Sequence, residues 1–325
     1  MKRTVIAMGL QETGKTTFLA AFWDVVRSRD VVGSLRMETT FGDMQYLNEI
    51  HNAWADCNKI IRTGPASDKP VTMLLHDEST NTSTELAWTD MLGESFERQW
   101  TERAWTRSYQ TLVNDAVGVV LFVHPKQLKE SQLIIDAQEA VRQVAQPQTE
   151  APSQLKSSTE SDAADPSQPV QSTGSPSQSP GESAVVGKPP VEQAKQFDAR
   201  TVPTQVPLVE LLQFVDAHRS THQRFRVSLV VSAWDLIEEL MGMKITPEKW
   251  CAERLPLLDQ FLASNDDRFD TMIFGVSAQG GDYSKATELR KAHYRAANRI
   301  KVVYCSTVSH DITAPVRWAI GSAIG

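Results

Sequence analysis

Eight residues close to the start of the chain have the types and the spacing that bind phosphate. Positions 9–16 read GLQETGKT, which fits the pattern G-x-x-x-x-G-K-[ST]. Gly9 and Gly14 let the backbone curl round an anion and point successive N–H groups at its oxygens. The ammonium of Lys15 would neutralise the outer phosphates, and the hydroxyl of Thr16 would bind Mg²⁺. The stretch therefore predicts a nucleoside triphosphate site.

The residues on either side supply the strand and the helix that this pattern requires. The apolar run 4–8 predicts a strand before the loop, and 17–23 opens a helix after it. The dipole of that helix would add to the attraction for phosphate. A chance glycine-rich turn is the alternative. The residues expected to contact the nucleotide here are Gly9, Gln11, Glu12, Thr13, Gly14, Lys15, Thr16 and Thr17.

A second short motif could hold the magnesium ion. Residues 90–93 read DMLG, which fits D-x-x-G, and they follow a run that predicts a strand over 85–89. A carboxylate at Asp90, beside the phosphate loop, can hold Mg²⁺ directly or through a water, and the N–H of Gly93 can contact a γ-phosphate. An ordinary strand-to-helix turn with Asp90 as its cap is the alternative.

Alternating strands and helices must position these residues. We expect an α/β fold, a three-layer sandwich with a mostly parallel central sheet and one antiparallel strand, which a hairpin would form. The strands are predicted over 4–8, 70–75, 85–89, 116–123, 225–231, 271–276 and 300–304, and the helices over 17–33, 43–62, 96–114, 127–145, 207–215, 250–262 and from 315.

The segment 146–206 differs in composition from the rest of the chain. It contains nine of the sixteen prolines, much Ser and Gln, and one aromatic residue, Phe197. Such a composition buries too little apolar surface to offset the entropy of ordering, so we expect disorder. Residues 1–145 and 207–325 are then two parts of one domain, and the insertion is a tether, a partner-binding tail or a tolerated surface insertion.

Charge and cysteine content exclude some classes of protein. The net charge is −7 and the Lys and Arg residues are scattered, which argues against a nucleic-acid partner. The three cysteines, Cys57, Cys251 and Cys305, are odd in number and far apart, as is typical of a reducing compartment. The sequence offers no signal peptide and no apolar run of the ~18 residues that a membrane span needs. We expect a soluble cytoplasmic protein.

The order of these motifs resembles a known family. Strand, phosphate loop and helix are followed by a hairpin, D-x-x-G, and two strands that end in SAWD and SAQ. This order is similar to the Ras-like GTPase domain of the translation-factor-related superclass, and more specifically to the bacterial double-GTPase proteins of conflict-system operons. The resemblance covers about residues 1–125 and 207–280. It implies that Asp90 coordinates Mg²⁺ and that Gly93 senses the γ-phosphate of GTP.

The resemblance also implies a base-reading site, where the match is partial. Asp235 keeps the aspartate of the family motif Asn/Thr-Lys-x-Asp, which accepts hydrogen bonds from guanine, but the lysine is lost. Trp234 or another side chain is a conjectural replacement for its packing. Ser277, Ala278 and Gln279 resemble the Ser-Ala-Lys loop whose backbone contacts the guanine oxygen. The two motifs favour guanine over adenine. Two ordinary turns at strand ends are the alternative.

Three further positions concern hydrolysis. The family's first switch offers a threonine to Mg²⁺, and Thr63 is the best placed, with Thr39 and Thr40 as runners-up. Glu94 stands where many relatives have the glutamine that orients the attacking water, and a carboxylate beside phosphates would also repel them. Arg62 is an arginine finger or, as we prefer, a surface residue. The expected catalytic set is Lys15, Thr63 and Glu94.

Three functions stay open. The first is a GTP-binding switch of a bacterial multi-protein system, which hydrolyses GTP slowly with Mg²⁺ and signals to protein partners through residues 36–68 and 92–110. The second is an interaction subunit that binds GTP or GDP without hydrolysis. The third is an ATPase or small-molecule kinase with the same phosphate loop.

Overall fold

A computed structural model describes most of the chain outside the proline-rich insertion. The described residues are 3–28, 30–31, 35–60, 71–88, 100, 102, 104–105, 107–130, 202–220, 223–242, 244–292, 295–322 and 324. Several predictions lie outside them: residues 131–145 of a predicted helix, most of the 146–206 segment, and the site candidates Arg62, Thr63, Asp90, Gly93 and Glu94.

Strands and helices alternate along the described chain. The strands are β1 (Arg3–Gly9), β2 (Arg36–Phe41), β3 (Val71–Asp77), β4 (Thr82–Trp88), β5 (Ala116–Val123), β6 (Phe225–Ser232), β7 (Phe269–Ser277), β8 (Lys301–Tyr304) and β9 (Thr307–Ser309). The helices are α1 (Lys15–Ser28), α2 (Met44–Ala55), α3 (Arg107–Asp115), α4 (Gln205–His218), α5 (Trp234–Met241), α6 (Pro247–Arg254), α7 (Pro256–Ser264), α8 (Ala286–Ala292) and α9 (Ala314–Ile320). None of these helices has the length and apolarity of a membrane span.

All of these strands form one mixed sheet, in the order β2-β3-β4-β1-β5-β6-β7-β8-β9. The pairs β4-β1, β1-β5, β5-β6 and β6-β7 are parallel, and the pairs β2-β3, β3-β4, β7-β8 and β8-β9 are antiparallel. The prediction of an α/β fold with a β3–β4 hairpin is confirmed. The prediction of a single antiparallel strand is wrong, because both β3 and β8 run against the other strands.

Helices cover both faces of the sheet, which gives three layers. Alternate residues of the central strands face two separate hydrophobic clusters. One cluster contains Val5, Phe122 and residues of α1, α2 and α9. The other contains Ile6, Leu121 and residues of α3–α7. This burial on both faces explains the continuous apolar runs of β1, β5 and β6. The parallel pairing of these strands brings their carboxyl ends to one edge.

The sequence patterns missed elements that lie at the edges of the sheet. The strand β2 is largely exposed and has no apolar alternation, so only its pairing with β3 reveals it.

Two predicted helices have other bounds in the structure. The helix predicted over 250–262 is divided into α6 and α7, because Pro256 has no N–H to continue the first helix. The helix predicted over 43–62 ends at Ala55, where Cys57 adopts a left-handed conformation with φ 55°.

Candidate nucleotide-binding site

The phosphate loop is a tight turn between β1 and α1. Gly14 has φ 83° and Glu12 has φ 56°, so the chain turns through the left-handed region twice within three residues. A Cβ on Gly9 would lie 2.8 Å from the Phe122 carbonyl oxygen, and one on Gly14 would lie 3.1 Å from Cβ of Ser232. A side chain at either position would therefore be strained, because Gly9 packs directly on β5 and Gly14 has a positive φ.

The ammonium of Lys15 is held inside this loop. Its Nζ donates to the carbonyl oxygens of Gly9, at 3.0 Å, and Leu10, at 2.8 Å, and the side chain is buried. The hydroxyl of Thr13 donates to the same Leu10 oxygen, at 2.9 Å. A buried cation at the centre of a loop of N–H groups is an arrangement that attracts a polyanion.

Thr16 is in the first turn of α1, next to Lys15. Its hydroxyl has no hydrogen-bond partner among the residues that the structure describes. A neutral hydroxyl oxygen of this kind is a ligand that Mg²⁺ accepts, alongside carboxylate and phosphate oxygens. Thr16 therefore fits a magnesium ion, and among the described residues no cluster of three or more His, Cys, Asp or Glu offers another metal site.

A cleft of about 270 Å³ extends from the phosphate loop to the ends of β6 and β7. The residues of this cleft that the sequence had singled out are Gly14, Thr17, Asp235, Ala278 and Gln279. They come from three separate stretches of the chain, and the parallel order β1-β5-β6-β7 brings the stretches together. Gln11, Glu12 and Thr13 border a second cavity, of about 240 Å³, which Trp100 also lines.

Asp235 is fixed at the far end of the cleft. Ala233, with φ 49° and ψ 47°, turns the chain sharply between β6 and α5 and so places Asp235 in the first turn of the helix. The hydroxyl of Ser277, at the end of β7, donates to Asp235 Oδ1 at 2.6 Å and accepts from the N–H of Gly280 at 3.3 Å. A carboxylate held in this way keeps further lone pairs for a ligand.

Two side chains of the predicted base-reading motifs are engaged within the protein itself. Trp234 is fully buried, and its ring packs so closely on Gly275 that a Cβ there would lie 2.3 Å from a ring atom. The conjecture that Trp234 replaces the missing lysine is therefore wrong. The side chain of Gln279 donates to the carbonyl oxygen of Gly281 at 2.6 Å and so closes its own loop.

Two cleft residues were missed by the sequence reasoning. His124 and Lys126 follow β5 and line the cleft, and a single turn of 3-10 helix holds them there. The side chain of Lys126 is exposed and has no ion pair among the described residues. A lysine three residues after a buried strand, at the edge where the phosphate loop lies, is the signal that could have found it.

The surroundings of His124 disfavour the charged form of its imidazole. Its Nδ1 accepts a hydrogen bond from the backbone N–H of Lys126 at 3.1 Å. Burial, and then the ammonium of Lys126, lower the pKa of His124, against the opposing effect of the carboxylates of Asp235 and Glu12. Gln127 in the same turn donates to Glu12 Oε2 at 2.9 Å, so the turn is tied to the phosphate loop.

Comparison with known proteins gives a family match over nearly the whole chain. The profile of the Double-GTPase 1 family matches residues 6–319. Among curated proteins, no sequence matches the chain. A crystal structure of the S. cerevisiae Ski7 GTPase-like domain, bound to GTP, superimposes with a TM-score of 0.35 and 11% identity, over 86% of this chain and 44% of that one. The chain thus spans less than half of that protein.

Proposed function

The chain belongs to the Double-GTPase 1 family, and we propose that it is a molecular switch that binds GTP and GDP with Mg²⁺ and hydrolyses GTP slowly. The observation that carries the proposal is the single cleft that joins the phosphate loop at Gly14 to Asp235 and Ala278. Its phosphate end has a buried lysine, and its other end has a fixed carboxylate beside backbone amides. These groups suit the two ends of a guanine nucleotide.

At the base end, Asp235 would accept hydrogen bonds from the N1–H and the exocyclic amino group of guanine. Adenine has no hydrogen on N1 and no amino group at that position, so the carboxylate selects guanine. The backbone of Ala278 and Gln279 would contact the guanine oxygen. Lys126 lies at the same cleft, and its stem and ammonium would cover the base or the sugar, in place of the lysine that the base motif lacks.

At the phosphate end, the backbone of the loop and Lys15 would bind the β- and γ-phosphates. Thr16, with Asp90 and Thr63, would hold the magnesium ion, which neutralises developing charge on the phosphates when bound. Gly93 would contact the γ-phosphate through its N–H. The segments 36–68 and 92–110 would change with the nucleotide state and present it to protein partners.

Hydrolysis would be slow because Glu94 follows the D-x-x-G motif in place of a glutamine. A carboxylate can accept a proton from water, but its charge opposes the charge that builds on the phosphoryl oxygens. The catalytic contribution of this chain would then come mainly from Lys15 and from positioning. We place the protein in the bacterial cytoplasm, as a subunit of a multi-protein conflict or defence system.

Two other functions use the same cleft. In one, the chain binds GTP or GDP without hydrolysis and acts as an interaction subunit; Glu94 and the insertion over 146–206 favour it. In the other, it is an ATPase or small-molecule kinase, and the loss of the lysine from the base motif is the feature in its favour.

Release of phosphate from radiolabelled GTP by the purified protein, with Lys15→Ala as control, separates these functions. We expect slow turnover that requires Mg²⁺ and that the control lacks. If the protein still binds GTP but releases phosphate no faster than the control, the function as a non-hydrolysing interaction subunit would remain. Faster turnover of ATP, unaffected by Asp235→Asn, would leave the ATPase.

A further inference from the structure

We propose that Trp54 is a positioning residue for base recognition, which holds the base-reading loop, residues 277–281, against the guanine oxygen. The inference rests on the proposed function. It adds a residue from α2, an element that lies within the segment 36–68 and takes no part in the family's base motifs. Trp54 contacts the loop rather than the base. Its loss would therefore reduce the preference for nucleotides that carry the guanine oxygen.

The contact is a single buried hydrogen bond. Trp54 lies in the last turn of α2 and is fully buried, and its Nε1 donates to the carbonyl oxygen of Ala278 at 2.8 Å. At the start of the loop, the hydroxyl of Ser277 accepts from the N–H of Gly280 at 3.3 Å. The two bonds fix the backbone on both sides of Ala278 and so fix the direction of its amide.

A buried arginine packs against both α2 and the base-reading loop. Arg299 Nη2 donates to the carbonyl oxygen of Trp54 at 2.8 Å, and its guanidinium lies 4.8 Å from the centre of the Trp54 ring. Its Nη1 also contacts the sulfur of Cys57. A Cβ on Gly280 would lie 2.6 Å from Cβ of Arg299. The end of α2, Arg299 and the base-reading loop therefore pack as one unit.

Packing alone does not account for the direction of the Trp54 donor. Trp23, Trp88 and Trp234 are also fully buried, and their Nε1 atoms have no hydrogen-bond partner among the described residues. An indole can thus be buried in this protein without a partner. Trp54 differs because its N–H meets a carbonyl oxygen of the loop that would read the base, and Trp23, in the same hydrophobic cluster, provides a matched control.

Three nucleotides separate the contacts to the base. Inosine diphosphate lacks the exocyclic amino group that Asp235 would bind. The 2-aminopurine riboside diphosphate lacks the oxygen that the loop would contact, and it also lacks the N1–H that Asp235 would bind. The ratio of the dissociation constant of inosine diphosphate to that of GDP measures the contact of the amino group with Asp235. The 2-aminopurine ratio measures the oxygen contact together with the N1–H contact; because the N1–H contact is the same in all the proteins compared, a change in this ratio between them reports the oxygen contact. Calorimetric titration of the full chain with all three gives both ratios for wild type, Trp54→Phe and Trp23→Phe.

In Trp54→Phe we expect the 2-aminopurine ratio to fall by roughly tenfold, because the loop loses the hydrogen bond that holds it against the guanine oxygen. We expect the inosine ratio to stay as in wild type. Trp23→Phe should leave both ratios unchanged. Equal 2-aminopurine ratios in wild type and Trp54→Phe would overturn the inference alone. A wild type that prefers GDP to neither analogue would overturn base recognition, and with it the proposed function.

Trp54→Phe can also lose stability, because it removes part of a buried side chain. Replacement of Trp54 by benzothienylalanine keeps the shape of the indole and removes only the N–H. The same fall in the 2-aminopurine ratio should appear in this variant at a melting temperature close to that of wild type. A wild-type ratio in this variant would overturn the inference even if Trp54→Phe does not fold.

Discussion

Ser277 Oγ donates a 2.6 Å hydrogen bond to Asp235 Oδ1, and this bond joins the end of β7 to the first turn of α5. Ser277 is almost fully buried, so water does not compete with the Asp235 carboxylate for the hydrogen bond of its hydroxyl. The bond holds the Asp235 carboxylate in one orientation within the cleft. Ser277 is thus a positioning residue for the carboxylate that would read guanine, in addition to its place in the base-reading loop.

Ser277→Ala should weaken GDP binding by roughly tenfold, because the Asp235 carboxylate loses the hydrogen bond that orients it. Calorimetric titration measures the effect. Ser83→Ala is the control, since Ser83 also donates to a carboxylate, Glu38 Oε1 at 3.0 Å, but at an exposed site on β4. Equal losses in the two variants would contradict the role of Ser277.

Removal of the Lys126 ammonium should weaken GDP binding by about threefold, the size expected for an exposed cation near an aromatic ring or a phosphate. Lys126→Met keeps part of the apolar stem, so it should bind GDP better than Lys126→Ala. The loss should shrink at high ionic strength, because salt screens an exposed charge. Lys291→Ala, on the exposed face of α8, is the control. Unchanged GDP affinity in Lys126→Ala would exclude this lysine from the site.

The lowered pKa of His124 predicts a loss of stability on acidification. The unfolded chain binds a proton at the ordinary histidine pKa near 6.5, whereas the folded chain binds it only at lower pH. The free energy of unfolding should therefore fall as the pH drops below about 6.5 and through the folded pKa. The melting temperature of nucleotide-free protein between pH 7.5 and 5.5, values chosen to bracket that ordinary pKa, measures this fall.

His124→Asn is the matched variant, because its side-chain oxygen can still accept from the N–H of Lys126. The variant should lose less stability than wild type over the same pH interval. The difference between the two proteins separates the contribution of His124 from that of the carboxylates, which titrate in both. An identical pH dependence in both proteins would show that His124 does not titrate differently on folding.

A buried ion pair network should stabilise the fold away from the cleft. Arg317, on α9, lies between Asp77 at 3.7 Å and Asp311 at 3.5 Å, and all three side chains are buried. Arg317→Leu leaves two buried carboxylates without their cation, which should cost about 3–5 kcal/mol in the free energy of unfolding. Urea denaturation measures the loss, with exposed Arg290→Leu as control. A loss no greater than that of the control would mean that the network adds nothing.

The sequence allowed the phosphate loop and the strand ends to be predicted, because each depends on local residues. Glycines at positions 9 and 14 and a lysine at 15 define the loop, and apolar runs define β1, β5, β6 and β7. The family resemblance implied one base-reading site for Asp235 and Ser277, and the parallel pairing of β6 with β7 is what brings the two residues together in the structure.

The contacts that complete the cleft could not be predicted, because they join residues far apart in the chain. Nothing in the local pattern around Trp54 indicates a partner at Ala278, and Lys126 has no motif of its own. Trp234 failed as a base-stacking residue for a related reason: Gly275, on the neighbouring strand, leaves space for its ring in the core. Edge strand β2 depends on its pairing with β3 rather than on its own composition.

The preference between guanine and adenine tests the central claim most directly. Calorimetric titration of nucleotide-free protein with GDP and with ADP, in the presence of Mg²⁺, should give tighter binding of GDP, and Asp235→Ala should lose most of that preference while Lys15→Ala weakens both nucleotides. Binding of ADP as tight as that of GDP, or a preference for GDP that survives Asp235→Ala in full, would contradict the account.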